Sequence, residues 1–325
     1  MSVRSFLQIT QESSYGTAMA LPVRGTNQIV IRLDGSNAYS MRPKPIAVDI
    51  PYGGGVTNIG ATVSDKQELK GTLKAKLCYS QAALLLGWAL QNINSGQTTP
   101  WVTTEPAGDL ASCTVDFAIW QDDVATYKRE RHTGVKVTGG SIRTGEDMQV
   151  VELDLSLTGS TYQGNSFDGS VDPTAIVFPV PAATDYANDF VLFGHSTGEL
   201  TIGTSRLHYS NLAIDWQNSI DARFFASRFL QRMRYMGRKA GLEADVVLES
   251  TPGDRSTYEQ LSALSACTVT FTNSVPHSVE FNFNSNSRFE SLTDDLSNEK
   301  IYYRKLKVMD RWDYTAGSDV AVTIT

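Results

Sequence analysis

The sequence lacks most of what catalysis and metal binding need. Its 325 residues include three cysteines, Cys78, Cys113 and Cys267, and no Cys-x-x-Cys. The odd count, with mostly apolar or Thr neighbours, reads as reduced core residues and suits synthesis in the cytosol. The four histidines, His132, His195, His208 and His277, are scattered, whereas zinc needs four close ligands. The pairs Asp122–Asp123 and Asp294–Asp295 lack calcium-loop spacing. "YGGGVTNIG", from Tyr52, has neither the Gly-Lys-Ser/Thr of a P-loop nor a G-x-G-x-x-G opening a helix. No metal, cofactor or catalytic residue is therefore expected. No apolar run reaches the length of a membrane span, and "MSVRSFLQITQESSYGT" has no signal-peptide h-region, so neither membrane insertion nor secretion is expected. Glu/Lys/Ala blocks are scarce, which favours β structure. The net charge of -7 argues against tight binding to a phosphate backbone, which depends on Lys and Arg.

What is present is a soluble-protein composition, 41% hydrophobic and 19% charged, sufficient for a packed core. Alternation dominates. Val151, Leu153, Leu155 and Leu157 face one way, with Glu152 and Asp154 opposite; Cys267, Val269 and Phe271 alternate with threonines, and Val279, Phe281 and Phe283 with polar residues. Sheets with one buried and one wet face are antiparallel.

The chain also repeats itself. "LASCTVDFAI", from Leu110, resembles "LSACTVTFTN", from Leu264, with the cysteines 154 positions apart. Before them stand two helix candidates, one capped by Ser80 and one by Ser256, and then "GTLKAKLCY" and "GLEADVVLES", from Gly71 and Gly241, 170 apart. "QIVIRLDGSNAY" and "GELTIGTSRLHY" are also 170 apart, and "MQVVELDLSL" and "KIYYRKLKVM" are 152 apart. One insertion, the Gly/Thr/Pro stretch from Asn92, accounts for the large change in offset. The sequence thus predicts a mainly β protein of two tandem antiparallel β-sandwich or half-barrel domains, each with one flanking helix. Residues 1–159 form the first domain with an N-terminal arm, 160–189 a linker, and 190–325 the second domain with a C-terminal arm.

Two segments compete for function. Gly194-His195-Ser196-Thr197-Gly198 matches the G-x-S-x-G nucleophile elbow, which needs a strand, a strained turn and a helix. The residues after Gly198 alternate as a strand, so a turn is the favoured reading and a hydrolase at Ser196 the distant one. The second segment, "DARFFASRFLQRMRYMGRKAG" from Asp221, is rich in arginine. Read as a hairpin, it puts Phe225, Phe229, Met233 and Tyr235 on one face and Arg228, Arg232 and Arg234 on the other, with Arg223 nearby. It reads as a nucleic-acid patch, a solvated face or, favoured on an acidic body, a protein interface. Its counterpart in the first half is the loop from Tyr52 through Gly53, Gly54 and Gly55 to Gln67, so both halves carry a projecting connection at the same place.

"QESSYGTAM", "TGVKVTGGSIRTGEDMQVVELDLSLTG" and "LTIGTSRLHYSNLAIDWQNSIDARF" followed by a basic loop together resemble the tail tube proteins of long non-contractile-tailed bacteriophages, of the type with two tube domains in one chain. The resemblance covers nearly the whole chain, apart from the insert from Asn92. It implies sheets that join between subunits into an inner β-barrel, and rings that stack into a tube. A two-domain chain would close as a trimeric, pseudo-six-fold ring, with a hexameric ring as the alternative. It further implies a place in the virion tail, assembly in the host cytoplasm, tape-measure, tail-tip and tail-terminator partners, and DNA passing the lumen without sequence-specific binding past a wall that net acidity would keep from gripping it. Both connections and both arms become candidates for contacts between copies. The competing class is a tandem β-sandwich lectin or adhesin, for which Trp101 and Trp120 are the suggestive aromatics. A contractile-tail tube or type VI needle is disfavoured because their subunits are usually single-domain.

Overall fold

The computed structural model describes residues 3–18, 27–33, 37–51, 59–90, 101–102, 111–121, 126–148, 150–164, 198–203, 205–225, 230–247, 267–272, 278–283, 288–295, 303–309 and 320–325. Strands β1 (Val3–Ser14), β2 (Thr17–Ala18), β3 (Gln28–Leu33), β4 (Ala38–Pro51) and β5 (Ile59–Lys76) precede helix α1 (Tyr79–Ala89). Then come β6 (Trp101–Val102), β7 (Cys113–Gln121), β8 (Thr126–Gly145), β9 (Glu152–Gly159) and β10 (Thr161–Gly164). The second half holds β11 (Gly198–Ile202), β12 (Ser205–Leu207), β13 (Tyr209–Arg223), β14 (Arg232–Val247), β15 (Cys267–Thr272), β16 (Ser278–Phe283), β17 (Arg288–Asp295), β18 (Tyr303–Met309) and β19 (Val320–Ile324). The protein is mainly β, and every strand pairing is antiparallel.

One continuous face runs in the order β4-β5-β9-β8-β13-β14-β18-β17. Behind it lie β3-β1-β7 with the first part of β8 in one half, and β12-β11-β15-β16-β19-β6 in the other. The pairing order recurs: β4-β5-β9-β8 in the first half is matched by β13-β14-β18-β17 in the second, and β7-β8 by β15-β16. Strand β8 does in one run what β16 and β17 do as two. Its residues 126–135 pair β7, and 136–145 pair β9 and β13. It turns between these layers at Gly134, where φ is 62°. A Cβ there would stand 2.8 Å from Ser160 and 3.0 Å from the Tyr15 ring, so glycine is required.

The faces of paired strands correct the expected repeat offset. At 170, buried Leu73 would match Glu243, which points to the wet side. Leu73-Lys74-Ala75-Lys76-Leu77 instead matches Leu242-Glu243-Ala244-Asp245-Val246, an offset of 169, with Leu73, Ala75, Leu242 and Ala244 all buried. On their neighbours, Leu153 and Leu155 match Leu306 and Val308, an offset of 153 rather than 152. A one-residue slip exchanges the faces of a strand, so burial decides the register.

The expected arms are interior strands. β1 lies between β3 and β7, with Leu7 and Ile9 fully buried, and β19 pairs β16 with Val320, Val322 and Ile324 in the core. The stretch Ile59–Gln67, expected as part of a loop, belongs to β5 and lengthens the β4–β5 hairpin. The insert from Asn92 contributes β6, whose Trp101 and Val102 pair Ile324 and Thr323 of the second half. The described part of the linker, residues 160–164, includes β10 on β8; the rest of it, and the helix expected near Ser256, lie outside the described residues.

Helix α1 is apolar almost all round, as a helix enclosed on all sides must be. Leu84, Leu85, Leu86 and Trp88 are buried, and Trp88 Nε1 donates to Val135 O at 3.0 Å. It starts two residues earlier than a Ser80 cap implies, with Cys78 at the N-cap and no side-chain cap, so Ser80 lies inside it. Its last carbonyls accept from the second half: Asn218 Nδ2 reaches Ala89 O at 2.9 Å and Arg238 Nη1 reaches Leu90 O at 2.8 Å. The helix packs on β3 and β8 and also on β16 and β19, so both halves share one core.

At the β8–β13 joint Ile142 pairs Ile214 and Gly140 pairs Trp216. A Cβ on Gly140 would lie 2.6 Å from Asp154 O and 2.6 Å from Trp216 Cζ2. The Gly140→Val substitution is expected to cost about 2–4 kcal/mol, by overpacking against backbone, in urea denaturation.

Candidate assembly interface

Strands β13 and β14 form a long hairpin closed by Gln231 N donating to Arg223 O at 2.9 Å. A bulge between Ser219 and Ile220, opposite Gly237, twists its outer end. Arg223, Arg232 and Arg234 are exposed there, and Arg223 directly faces Arg232. Like charges at that spacing are tolerated with a nearby anion. Asp221 Oδ2 accepts from Arg223 Nε at 2.8 Å and sits opposite Arg234. Phe225 is 67% exposed with φ of 39°, a left-handed conformation uncommon for an aromatic residue, and Met236 is 64% exposed. Tyr235 is half-buried. Met233, expected on the outward apolar face, is only 1% exposed and belongs to the protein's own packing, as does Leu230. The connecting end of the hairpin is therefore anchored to the body at Leu230 and Met233, while Phe225, Met236 and the arginine side chains around it are exposed. Arg228 and Phe229, and Tyr52, Gly53, Gly54 and Gly55 of the first hairpin's connection, lie outside the described residues, as does Ser196. Gly198 opens strand β11 rather than the helix an elbow requires.

This connecting end is held by residues of "QESSYGTAM" and "TGVKVTGG" and by Ser160. Each oxygen of the Glu12 carboxylate accepts two hydrogen bonds. Oε1 takes Thr114 Oγ1 at 2.8 Å and Gly134 N at 2.7 Å; Oε2 takes Gly16 N at 2.8 Å and the Ser112 hydroxyl. This fixes the corner of β8. Two residues on, the buried Lys136 ammonium donates to Met233 O at 2.8 Å and lies 5.2 Å from the Tyr15 ring centroid. The Ser160 hydroxyl donates to Leu230 O. Burial, the largest cause, pushes the Tyr15 phenol up to about 12, so it stays neutral beside the lysine. Sequence patterning marked these segments as distinctive but not why; the signal was charged and polar residues inside apolar alternation.

A second buried cluster joins Tyr39, Phe117, His132 and Tyr162. The Tyr39 hydroxyl is 2.9 Å from His132 Nδ1. Burial, reinforced by the Arg42 charge, lowers His132 to about 3, so the ring is neutral at physiological pH. Beside it Arg131 grips the buried Asp116 carboxylate with Nε at 2.6 Å and Nη2 at 2.8 Å. Among the described residues no group of three or more His, Cys, Asp or Glu side chains is placed to hold a metal ion. Cys78, Cys113 and Cys267 are free and buried, and burial pushes the Cys78 thiol up to about 12.

The wet face of the continuous sheet carries charges of both signs. Its charges come in columns of opposite sign: Lys70, Lys74 and Lys76 on β5; Glu152 and Asp154 on β9; Arg143 on β8; Asp215 on β13; Glu243 and Asp245 on β14; Lys305 and Lys307 on β18. Lys74 and Glu152 close to 2.8 Å, Lys70 and Glu68 to 2.7 Å, and Lys307 and Glu243 to 3.3 Å. An open groove of about 360 Å³ crosses the joint among Arg143, Asn211, Asp215, Glu243, Asp245 and Lys305. Burial raises Asp215 above the usual carboxylate range.

No family model matches the chain, and no curated protein matches it.

Replacing Glu12 by Gln turns two of the four accepted bonds into donor–donor conflicts, with an expected loss of roughly 2–4 kcal/mol in chemical denaturation. His132 generates a pH dependence. Its folded value lies below its unfolded value, so the unfolded chain binds the extra proton between about 6.5 and about 3. Stability is complete above that window and falls as pH drops through it, by about 1.4 kcal/mol per pH unit at most from this group. Denaturation midpoints from pH 7 to pH 4 should show a shallower slope in His132→Gln than in the parent.

Proposed function

We propose that this chain is a structural subunit that polymerises edge to edge into rings, stacked as a hollow tube of the kind that forms a long non-contractile phage tail. The supporting observation is that the eight-stranded face is open at β4 and β17, the counterparts of the two strands that pair at its own centre. Ile142 pairs Ile214 across β8 and β13. Through the recurring ladders, Ile142 corresponds to Leu292, because these residues face Leu153 and Leu306. Ile214 corresponds to Tyr39, because these face Leu242 and Leu73. The joint within one chain thus maps onto a joint between chains in which Leu292 of β17 faces Tyr39 of β4. Its extent, 139–145 on 211–217, maps through the ladders and the bulge between Phe289 and Ser291 onto 288–295 of β17, and onto β4 as far as Arg42. That matches the length of β17 and stops one residue short of Pro43, which has no N–H to give a neighbouring strand.

An edge that accepts the other edge of the same chain is heterologous, and it gives a ring when the rotation between copies closes, as proposed, and a helical filament when it does not. Each chain supplies two equivalent four-stranded units, so three chains make a pseudo-six-fold ring; a hexamer is the alternative outcome. The wet face then lines the lumen. Lys74, Lys76, Lys305 and Lys307 are matched by carboxylates across the strands, which weakens counterion-release binding along this part of the face and favours DNA that slides past. The arginine-bearing tip of the β13–β14 hairpin stands where it can meet the next copy, and the tape-measure, tail-tip and terminator partners belong to the same reading. A Ser40→Cys/Ser291→Cys chain, whose two positions would face each other on the wet side, is expected to form disulfides between chains and to give closed rings in negative-stain micrographs. The Ser40→Cys/Thr293→Cys chain, two residues out of register, is the control. Monomers at every concentration with no interchain disulfide would defeat the proposal.

A further inference from the structure

The corrected register exposes a charge relationship between the halves. Lys74 and Lys76 of β5 occupy the places of Glu243 and Asp245 in β14, and Glu152 and Asp154 of β9 occupy the places of Lys305 and Lys307 in β18. The apolar faces of these strands are alike: Leu73 and Ala75 match Leu242 and Ala244, and Leu153 and Leu155 match Leu306 and Val308, all buried. On the wet face these four positions are inverted in sign, whereas the next matched pair, Lys70 and Lys239, keeps its sign. In each half the ladder sets opposite charges across from each other: Lys74 on Asp154 and Lys76 on Glu152, then Glu243 on Lys307 and Asp245 on Lys305.

We infer that this inversion is a pairing code that keeps each strand with the partner of its own half. Two halves with the same pairing order and matching central core positions can fold with β9 on β14 or β18 on β5, within a chain or between two copies. At Leu73, Ala75, Leu153 and Leu155 the core does not resist such an exchange; at the ends of the ladders it does, because buried Leu69, Val151 and Leu157 stand where the other half has Arg238, Arg304 and Asp310. At the centre the wet face resists it. Exchange would set Lys305 and Lys307 against Lys74 and Lys76, and Glu152 and Asp154 against Glu243 and Asp245. Like charges directly opposite each other in an antiparallel pair repel where the native arrangement attracts. Each pair is exposed and individually weak, but four change sign together, and the discrimination is screened by salt. The residues are thus specificity determinants for strand partnership, and this role does not depend on whether the chain forms a tube.

The test uses the full chain with Thr72→Cys and Ser156→Cys, which face each other on β5 and β9 in the native register. The chain is refolded from denaturant at high dilution and then oxidised. The yield of intrachain disulfide reports the β5–β9 partnership, and light scattering reports exchanged oligomers. The parent charges should give near-complete disulfide and a single low-mass species. Inverting the first half alone (Lys74→Glu, Lys76→Asp, Glu152→Lys and Asp154→Lys) retains attraction within that half but makes its charges match the second. The mispaired fraction should then rise on the order of tenfold, and refolding the parent in about 1 M salt should shift it the same way. Inverting the second half as well (Glu243→Lys, Asp245→Lys, Lys305→Glu and Lys307→Asp) restores the difference and should restore parental yield. An inverted first half that refolds with parental disulfide yield and mass overturns the inference. So does a doubly inverted chain that mispairs as often as the singly inverted one. Edge-to-edge association leaves the disulfide readout unmoved, so failure of the tube reading and failure of the code are separable.

Discussion

The carboxylate of Glu12 is the constraint on which the rest of the architecture depends. It accepts from the β1–β2 turn at Gly16, from Ser112 and Thr114 on β7 and its approach, and from Gly134 in β8. A buried carboxylate is tolerated when its lone pairs are filled, and here four donors fill them. The corner of β8 is set by that bond and by the glycine it touches. Beyond the corner, β8 presents Gly140 and Ile142 to β13, and the two halves become one sheet.

The second half is held through the same corner. Lys136 and Ser160 bind carbonyls of Met233 and Leu230, while Asn218 and Arg238 reach back to the end of α1. These bonds run from side chains to main-chain oxygens. They locate the hairpin's backbone without covering its outer side chains. Phe225, Met236, Arg223, Arg232 and Arg234 stay exposed around these anchors.

The sequence was a good guide where one face of a strand is wet. Leu153, Leu155 and Leu157 are buried as alternation required, and so are Cys267, Val269 and Phe271. It was a poor guide where both faces are covered. In β3, Val30 is buried along with Ile29 and Ile31, and in β1 the polar Gln8, Thr10 and Glu12 are as enclosed as Leu7 and Ile9. Polar side chains in such strands find partners far away in sequence, as Glu12 does at Gly134, and no local pattern reports them. The recurring pairing order was foreshadowed by similar segments, yet matching buried faces shifts the offset by one residue in β14 and β18, which similarity of letters alone did not reveal. The anchoring residues of the candidate interface were legible only as an unusual motif. The exposure of Arg232 and Arg234 and the burial of Met233 between them accord with alternation along the hairpin; which side of the strand would be covered was not legible, because the covering comes from elsewhere in the chain.

The path of β8 has a mechanical meaning. In an ordinary sandwich the two layers meet through side chains alone, and one can slide over the other at little cost. Here a single backbone enters the rear layer, turns at Gly134 and continues in the front layer. Sliding the layers apart would have to stretch or unfold that strand. The first half should therefore resist shear as a folded plate does, while the second, where β16 and β17 are separate strands, is the more compliant of the two.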